Sequence, residues 1–210
     1  MLKLKEILDI DSVKFGRPTE KHIKKMKKPF GEWQGFKMDS FYNLPPTSNS
    51  SKETYKELFE LDKIKPNTEF VSQADNISEY YISRTADLNL SLRLKSFIES
   101  VLDKTAPIIL KIKYHYNRPR PIQVAKLHGL KFHHQPLDSA KSPSYPSGHT
   151  AQSYLLAYML SDIYNKHTDR FFKIAEEISD SRNIARQHFI SDSEFGKKLG
   201  KELWRHYETK

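Results

Sequence analysis

The stretch Ser144–Lys166, "SYPSGHTAQSYLLAYMLSDIYNK", sets a proline, a serine and a glycine directly before a histidine and then turns apolar. Leu155, Leu156, Met159, Leu160 and Ile163 recur at the spacing of a helix buried along one face. A glycine at the entry of such a helix lets the backbone approach a ligand closely, and the free N–H groups of the first turn attract anions. Read alone, the stretch fits equally an ordinary Pro-Ser-Gly turn with His149 as a polar first-turn residue, so the rest of the chain has to decide.

Moving outward, the 210 residues suit one domain with a proper core, and the scarcity of glycine, 7 in all, favours long helices. Turn signals punctuate residues 1 to 46. Ser50-Ser51-Lys52-Glu53 carries a capping-box pattern that opens a helix to about Leu61. A short helix is expected over Ala74 to Arg84, and a longer one over Leu88 to Tyr116 with Pro107 as its candidate break. Pro119 and Pro121 end it, and Ile122 to Tyr145 reads as a loop. Two further helices are expected over about Asp169–Arg186 and Asp192–Tyr207.

Composition excludes several classes. No apolar run approaches the roughly 20 residues that span a bilayer, and the N-terminal "MLKLKEILDIDSVKF" lacks the apolar core of a signal peptide. The absence of cysteine excludes disulfide scaffolding and thiol chemistry. A formal charge of +9 favours anionic partners. Its densest cluster, "KHIKKMKK" at Lys21–Lys28, reads as a solvated basic face, and no helix-turn-helix, zinc-finger or aromatic RNA-binding pattern accompanies it, so nucleic acid is an unfavoured partner.

Two more stretches bear on chemistry. "KYHYNRPRP", Lys113–Pro121, places cations at and beyond a helix end. "SRNIARQHFISD", Ser181–Asp192, spaces Ser-Arg, His188 and Asp192. Together with the Ser-Gly turn, these are the parts of a phosphoryl-transfer site. Arg and Lys neutralise phosphate oxygens, and backbone N–H groups add fixed donors. One histidine can attack phosphorus and another protonate the departing alkoxide, while a carboxylate fixes an imidazole tautomer.

In this order the three stretches resemble the pattern of the phosphatidic acid phosphatase type 2 superfamily: Lys-x6-Arg-Pro, Pro-Ser-Gly-His, and Ser-Arg-x5-His-x3-Asp. Within it, "YPSGHT" and the tyrosine of "KYHYNRPRP" are most similar to bacterial class A nonspecific acid phosphatases. The resemblance runs from Lys113 to about Gly200. It implies an all-α, single-domain helical bundle of the type shared with vanadium haloperoxidases, with residues 88–207 as catalytic core and 1–46 as an extension packed on it. It implies His188 as nucleophile, Asp192 as the group holding its ring, and His149 as general acid. Lys113, Arg120 and Arg182 would clamp phosphate oxygens, with Ser147 and the Gly148 N–H completing the cradle.

Lys111 and Arg118-Pro119 satisfy the same Lys-x6-Arg-Pro spacing two residues earlier. The family's local run favours Lys113 and Arg120, which leaves Arg118 beside the substrate or behind the site. No His-x3-His pair or acidic cluster suggests a metal, and His115, His133 and His134 receive no role. The expected activity is a soluble, metal-independent acid phosphatase acting on a small phosphorylated substrate without a cofactor, with vanadate as inhibitor. The alternatives are a vanadium-dependent haloperoxidase, with vanadate as cofactor, and a non-catalytic basic protein that binds phosphate or nucleic acid. A cytoplasmic or phage-type protein is expected, a periplasmic one if a leader was removed; a homo-oligomer is open.

Overall fold

Ser147 ends the extended run before the histidine by turning its hydroxyl onto the N–H of Thr150 at 3.4 Å, and helix α8, Gly148–Ile163, starts there. The computed structural model describes residues 9–210, and Met1–Leu8, half of the stretch read for a leader, lie outside them. Among the described residues the ordered elements are helical, and no helix is long and apolar enough to cross a membrane.

The α-helices before α8 are α1 (Glu20–Met26), α2 (Asp39–Tyr42), α3 (Lys52–Lys63), α4 (Thr68–Ala74), α5 (Ile77–Arg84), α6 (Leu94–Tyr116) and α7 (Pro121–Leu127). After it come α9 (Thr168–Ile184) and α10 (Ile190–Glu208). α8 lies between α9 and α10 and touches α6. It is buried or half-buried as far as Ser161, with Leu155, Leu156, Met159 and Leu160 in the core, whereas Ile163, expected on the same buried face, is 56% exposed because the helix ends there at the surface.

Two glycines set how close α10 comes to α8. An added Cβ at Gly196 would lie 2.8 Å from the Ser147 carbonyl oxygen, and one at Gly200 would lie 2.5 Å from that of Ala151. Their i, i+4 spacing puts both on one face of α10, so the backbones meet where side chains would hold them apart. Trp33, from the N-terminal part, is 1% exposed and donates from its indole to the Leu203 carbonyl of α10 at 2.9 Å.

Several element boundaries differ from the sequence expectation. The helix expected over Ala74–Arg84 starts only at Ile77, because the Asn76 side chain accepts from the Glu79 N–H at 3.2 Å and caps α5 there, while α4 before it was not expected. α6 begins at Leu94 rather than Leu88, after a 3-10 turn at Ala86–Leu88 and a left-handed Asn89 (φ 49°). It runs unbroken through Pro107, whose buried ring packs with its neighbours although it gives up one backbone hydrogen bond. Within the expected loop lies α7, with Pro121 as its first residue, a position where a missing N–H costs nothing. The last helix begins at Ile190, two residues early, because Asp192 caps the Phe189 N–H at 2.9 Å from inside the first turn.

Candidate active site

Lys113 sits in the last turn of α6, and Asn117 ends that helix in a left-handed conformation (φ 53°) that swings Arg118, Pro119 and Arg120 across the bundle. Arg120 then holds the N-cap of α7, its own N–H donating to Gln123 Oε1 at 2.9 Å. The start of α8 supplies Ser147, Gly148 and His149, and the first N–H groups of that helix have no partner within it. Arg182 stands in the last turn of α9, His188 in the turn that follows, and Asp192 in the first turn of α10. Five helix ends therefore meet, tied by a hydrogen bond from the Ser147 N–H to the Asp192 carbonyl at 2.9 Å.

The eight sequence-expected residues converge. The Arg120 and Lys113 charges both bear on His188, and those of Arg182 and Lys113 on His149. A Cβ on Gly148 would meet Lys113 Cε in ordinary van der Waals contact at 3.4 Å, so the lysine stem packs against the start of α8. Lys113 Nζ donates to the Pro143 carbonyl at 2.6 Å. Arg120 donates to the Ser142 carbonyl through Nε (3.0 Å) and Nη2 (2.8 Å), and to the Gln187 carbonyl through Nη1 (2.8 Å).

The protonation of His188 follows from its neighbours. Arg120 Nη1 lies 3.3 Å from Nε2, and a guanidinium only donates, so Nε2 carries the lone pair. The proton then sits on Nδ1, which faces Asp192 Oδ2 at 3.4 Å. Burial, then the Arg120 charge, push the imidazole well below its ordinary range, with Asp192 opposing them. Burial by itself would raise the Asp192 carboxyl, but the Arg118 charge and the contacts with His188 and Ser144 hold it below the usual carboxylate range. Burial and the Arg120 charge lower Lys113 well below the usual lysine value. Burial lowers Arg120 to about 10, still charged at neutral pH.

His149 is held differently. Its Nε2 donates to the Asp75 carbonyl at 2.9 Å, and the Asp75 carboxylate lies 3.6 Å away. Burial and the Arg182 charge lower it to about 3, against the pull of Asp75. Arg182 Nη1 donates to the same Asp75 carboxylate at 2.6 Å.

The sequence reading missed Asp75. It lay inside a supposed helix, and only the break between α4 and α5 turns it onto Arg182 and His149. Glu57 of α3 was missed as well; it accepts from the Ser191 N–H at 2.6 Å and from the Ser191 hydroxyl at 2.9 Å, capping α10. Ser144, quoted but given no role, donates its hydroxyl to Asp192 Oδ2. Asp75 and Glu57 stand far from the motifs in the chain, so no sequence signal singled them out, whereas Ser144 lies two residues before Pro146 and its role shows only once Asp192 is folded against it.

The competing register is placed elsewhere. Lys111 lies on another face of α6 from Lys113, its ammonium 4.7 Å from the centre of the Phe30 ring. Arg118 backs the site, donating to Asp192 Oδ1 at 2.6 Å, to Ser191 Oγ at 3.0 Å and to Glu57 at 3.5 Å. His115 stacks on Tyr42 with ring centres 4.2 Å apart, and His133 and His134 line a separate cleft beside Arg186. Among the described residues no group of three or more His, Asp or Glu side chains is arranged to hold a metal ion.

Comparison with known proteins bears on the fold and the family. No curated protein matches the chain. Among solved structures, the crystal structure of the first bacterial vanadium-dependent iodoperoxidase superposes with a TM-score of 0.60 at 18% sequence identity. The alignment covers 80% of this chain and 52% of that one, so the chain spans about half the length of the iodoperoxidase, and the likeness is one of fold. The model of the PAP2 superfamily matches residues 84–201, more than half of the chain and every motif residue described above. With the helical bundle and the family's motif residues meeting at one place in it, the chain belongs to the PAP2 superfamily.

Proposed function

We propose that this chain is a metal-independent acid phosphatase that hydrolyses small phosphomonoesters through a phosphohistidine on His188. The observation that carries the reading is the placement of His188 between Asp192 Oδ2, 3.4 Å from Nδ1, and Arg120 Nη1, 3.3 Å from Nε2, which favours a proton on Nδ1 and a lone pair on Nε2. In the proposed reaction Nε2 attacks phosphorus and the bond to the ester oxygen breaks. The departing alkoxide takes a proton from His149, and the imidazolium that forms on His188 is steadied by Asp192. Water, deprotonated by His149, then displaces the histidine and releases phosphate. Lys113, Arg120, Arg182 and the first N–H groups of α8 would surround the three non-bridging oxygens, the side chains supplying full positive charge and the backbone fixed dipoles.

The low position of His149 fits an acid that gains its proton only when a phosphate dianion arrives between it and Arg182. The family membership and the convergent cations support the class of chemistry, and likeness of "YPSGHT" to class A acid phosphatases supports the substrate type.

A second reading follows from the same donors. Vanadate is a tetrahedral oxyanion, and Lys113, Arg120, Arg182, Ser147 and Gly148 would hold it with His188 Nε2 facing the metal. Bound there it would supply peroxide activation for halide oxidation. The two readings part in one experiment: p-nitrophenyl phosphate hydrolysis with EDTA present, beside bromide oxidation by peroxide with added vanadate. We expect hydrolysis that EDTA leaves intact and vanadate inhibits competitively, with no bromide oxidation. Hydrolysis lost to EDTA and restored by a divalent metal would overturn the metal-free mechanism. Bromide oxidation without hydrolysis would favour the haloperoxidase, and neither activity a binding protein.

A further inference from the structure

Behind His149 lies a cleft of about 650 Å3, walled by α1, the break between α4 and α5, α6 and α8. The two site histidines relate to it differently. The His149 side chain is 18% exposed and lines the cleft, whereas those of His188 and Asp192 are 4% and 0% exposed. In an in-line displacement the nucleophile and the leaving oxygen stand on opposite sides of phosphorus. The leaving oxygen must lie against its acid, so the alcohol departs on the His149 side, into this cleft.

The walls offer hydrogen bonds rather than apolar area. The Gln152 amide is pinned by its Nε2 to the Leu102 carbonyl (2.8 Å) and Thr105 Oγ1 (3.1 Å), which leaves Oε1 as an acceptor. Asn76 uses Oδ1 to cap α5 and keeps its amide NH2 as a donor. Glu99 and Asp103 are neighbours at i, i+4 on the α6 face of the cleft, and the half-buried Lys25 of α1 joins them. Ser78 is 5% exposed, lines the same cleft, and its hydroxyl is buried without a hydrogen-bond partner among the described residues. An orphaned buried hydroxyl costs free energy that a ligand hydroxyl would recover.

Resting on the phosphatase reading, we infer that this cleft is the leaving-group subsite and that it selects a neutral polyhydroxylated alcohol, a sugar or polyol. Among the described residues no Phe, Tyr or Trp lines it and the His149 imidazole is taken up as the acid, so a nucleobase or aryl group finds no broad stacking face. Among the described residues its aliphatic contacts are Ile77, Leu102 and Ala106, too few for an acyl chain. Asp103 is paired with Lys28 at 3.0 Å and Glu99 shares the wall with the Lys25 ammonium, so among the described residues the cleft wall offers no surplus of cations for a second phosphate on the substrate. A site built to pair hydroxyls rejects analogues that lack them, because its own polar groups are then left unpaired.

The test is calorimetric titration of the full chain with three phosphonates that cannot be hydrolysed: the glucose 6-phosphate analogue, hexylphosphonate and benzylphosphonate. Alongside it, kcat/KM is measured for glucose 6-phosphate and p-nitrophenyl phosphate. The sugar phosphonate should bind about 10-fold more tightly than the other two. Ser78→Ala and the exposed Glu99→Ala should each shrink that preference, and shrink the ratio of sugar to aryl kcat/KM with it. Tighter binding of the hexyl or benzyl compound, equal binding of all three, or a preference unmoved in both variants overturns the subsite. A preserved binding order without turnover of any ester instead overturns the phosphatase reading and leaves a cleft that binds sugar phosphates.

Discussion

Arg118 and Asp192 form an ion pair of 2.6 Å in which neither side chain is more than 1% exposed. The guanidinium also lies with its carbon 3.9 Å from the centre of the Phe189 ring, so packing as well as charge holds it. Asp192 can face His188 with one oxygen because Arg118 neutralises the other.

Breaking that pair should cost stability first. Removing one partner of a buried pair leaves an uncompensated charge worth about 3–5 kcal/mol. Arg118→Met and Asp192→Asn should each lower the unfolding free energy by about that much, while the double variant loses clearly less than the sum. Urea unfolding of the four proteins measures it, and additive losses would show that the pair is not coupled. Arg120→Ala should instead lower kcat/KM by orders of magnitude, and Arg118→Ala should lower it less.

The two histidines should fail at different steps. His188→Ala should abolish turnover and leave no acid-labile phosphoenzyme after rapid quenching with radiolabelled substrate. His149→Ala should still be phosphorylated by p-nitrophenyl phosphate, whose leaving group needs little protonation, yet not by an alkyl phosphate. Its intermediate should decay slowly, since water has lost its base. Label mapped to His149, or a fully active His188→Ala enzyme, would reverse the assignment.

How far the sequence carried these conclusions depends on the residue. Periodicity located α8, α9 and α10 to within a few residues, because each buries a wide apolar stripe. The motif residues were legible because their spacing is fixed by helix ends. Asp75 and Glu57 were not, since their partners stand far away in the chain and nothing local marks a carboxylate that folds onto Arg182 or onto the start of α10. α7 was hidden by its own first residue, a proline that ends one helix and opens the next. Gly196 and Gly200 passed unremarked because a glycine pair inside a helix reads as weak propensity until a second backbone is seen against it.

Adding a methyl group at those glycines is therefore a geometric probe of the site. Gly196→Ala must open the α8–α10 contact at the Ser147 carbonyl, beside the hydrogen bond from the Ser147 N–H to Asp192. A destabilisation of about 1–3 kcal/mol is expected, with kcat falling more than KM rises, because the start of α8 moves against Asp192. Gly200→Ala, one turn further from the site, should cost comparable stability and less kcat. Thermal unfolding and steady-state kinetics on both variants separate the two effects, and equal kcat losses would remove the link to distance from the site.

Stability should fall in acid earlier than carboxylate protonation alone explains. His149 takes up its proton near 6.5 in the unfolded chain but only at about 3 in the fold. Between those values the unfolded chain binds more protons, so stability rises with pH and is lost as pH falls below 6.5. His188, lowered in the same direction, adds to the loss, and Asp192 contributes its own below its ordinary value of 3.8. For His149 the change amounts to about 2 kcal/mol between pH 6.5 and 5. His149→Asn should flatten the dependence of Tm on pH across that interval, and an unchanged slope would contradict the assignment.

The break between α4 and α5 reaches beyond the local geometry of Asp75. The segment matching the family, residues 84–201, carries every motif, yet the carboxylates that steady Arg182 and cap α10 come from Asp75 and Glu57, upstream of it. A graft of the motif-bearing half onto a foreign scaffold would bring the reacting groups without the counter-ions that orient them. Portability of this chemistry is thus set by two acids that no motif contains, and a working transplant has to carry α3 and the Ala74–Ile77 corner along.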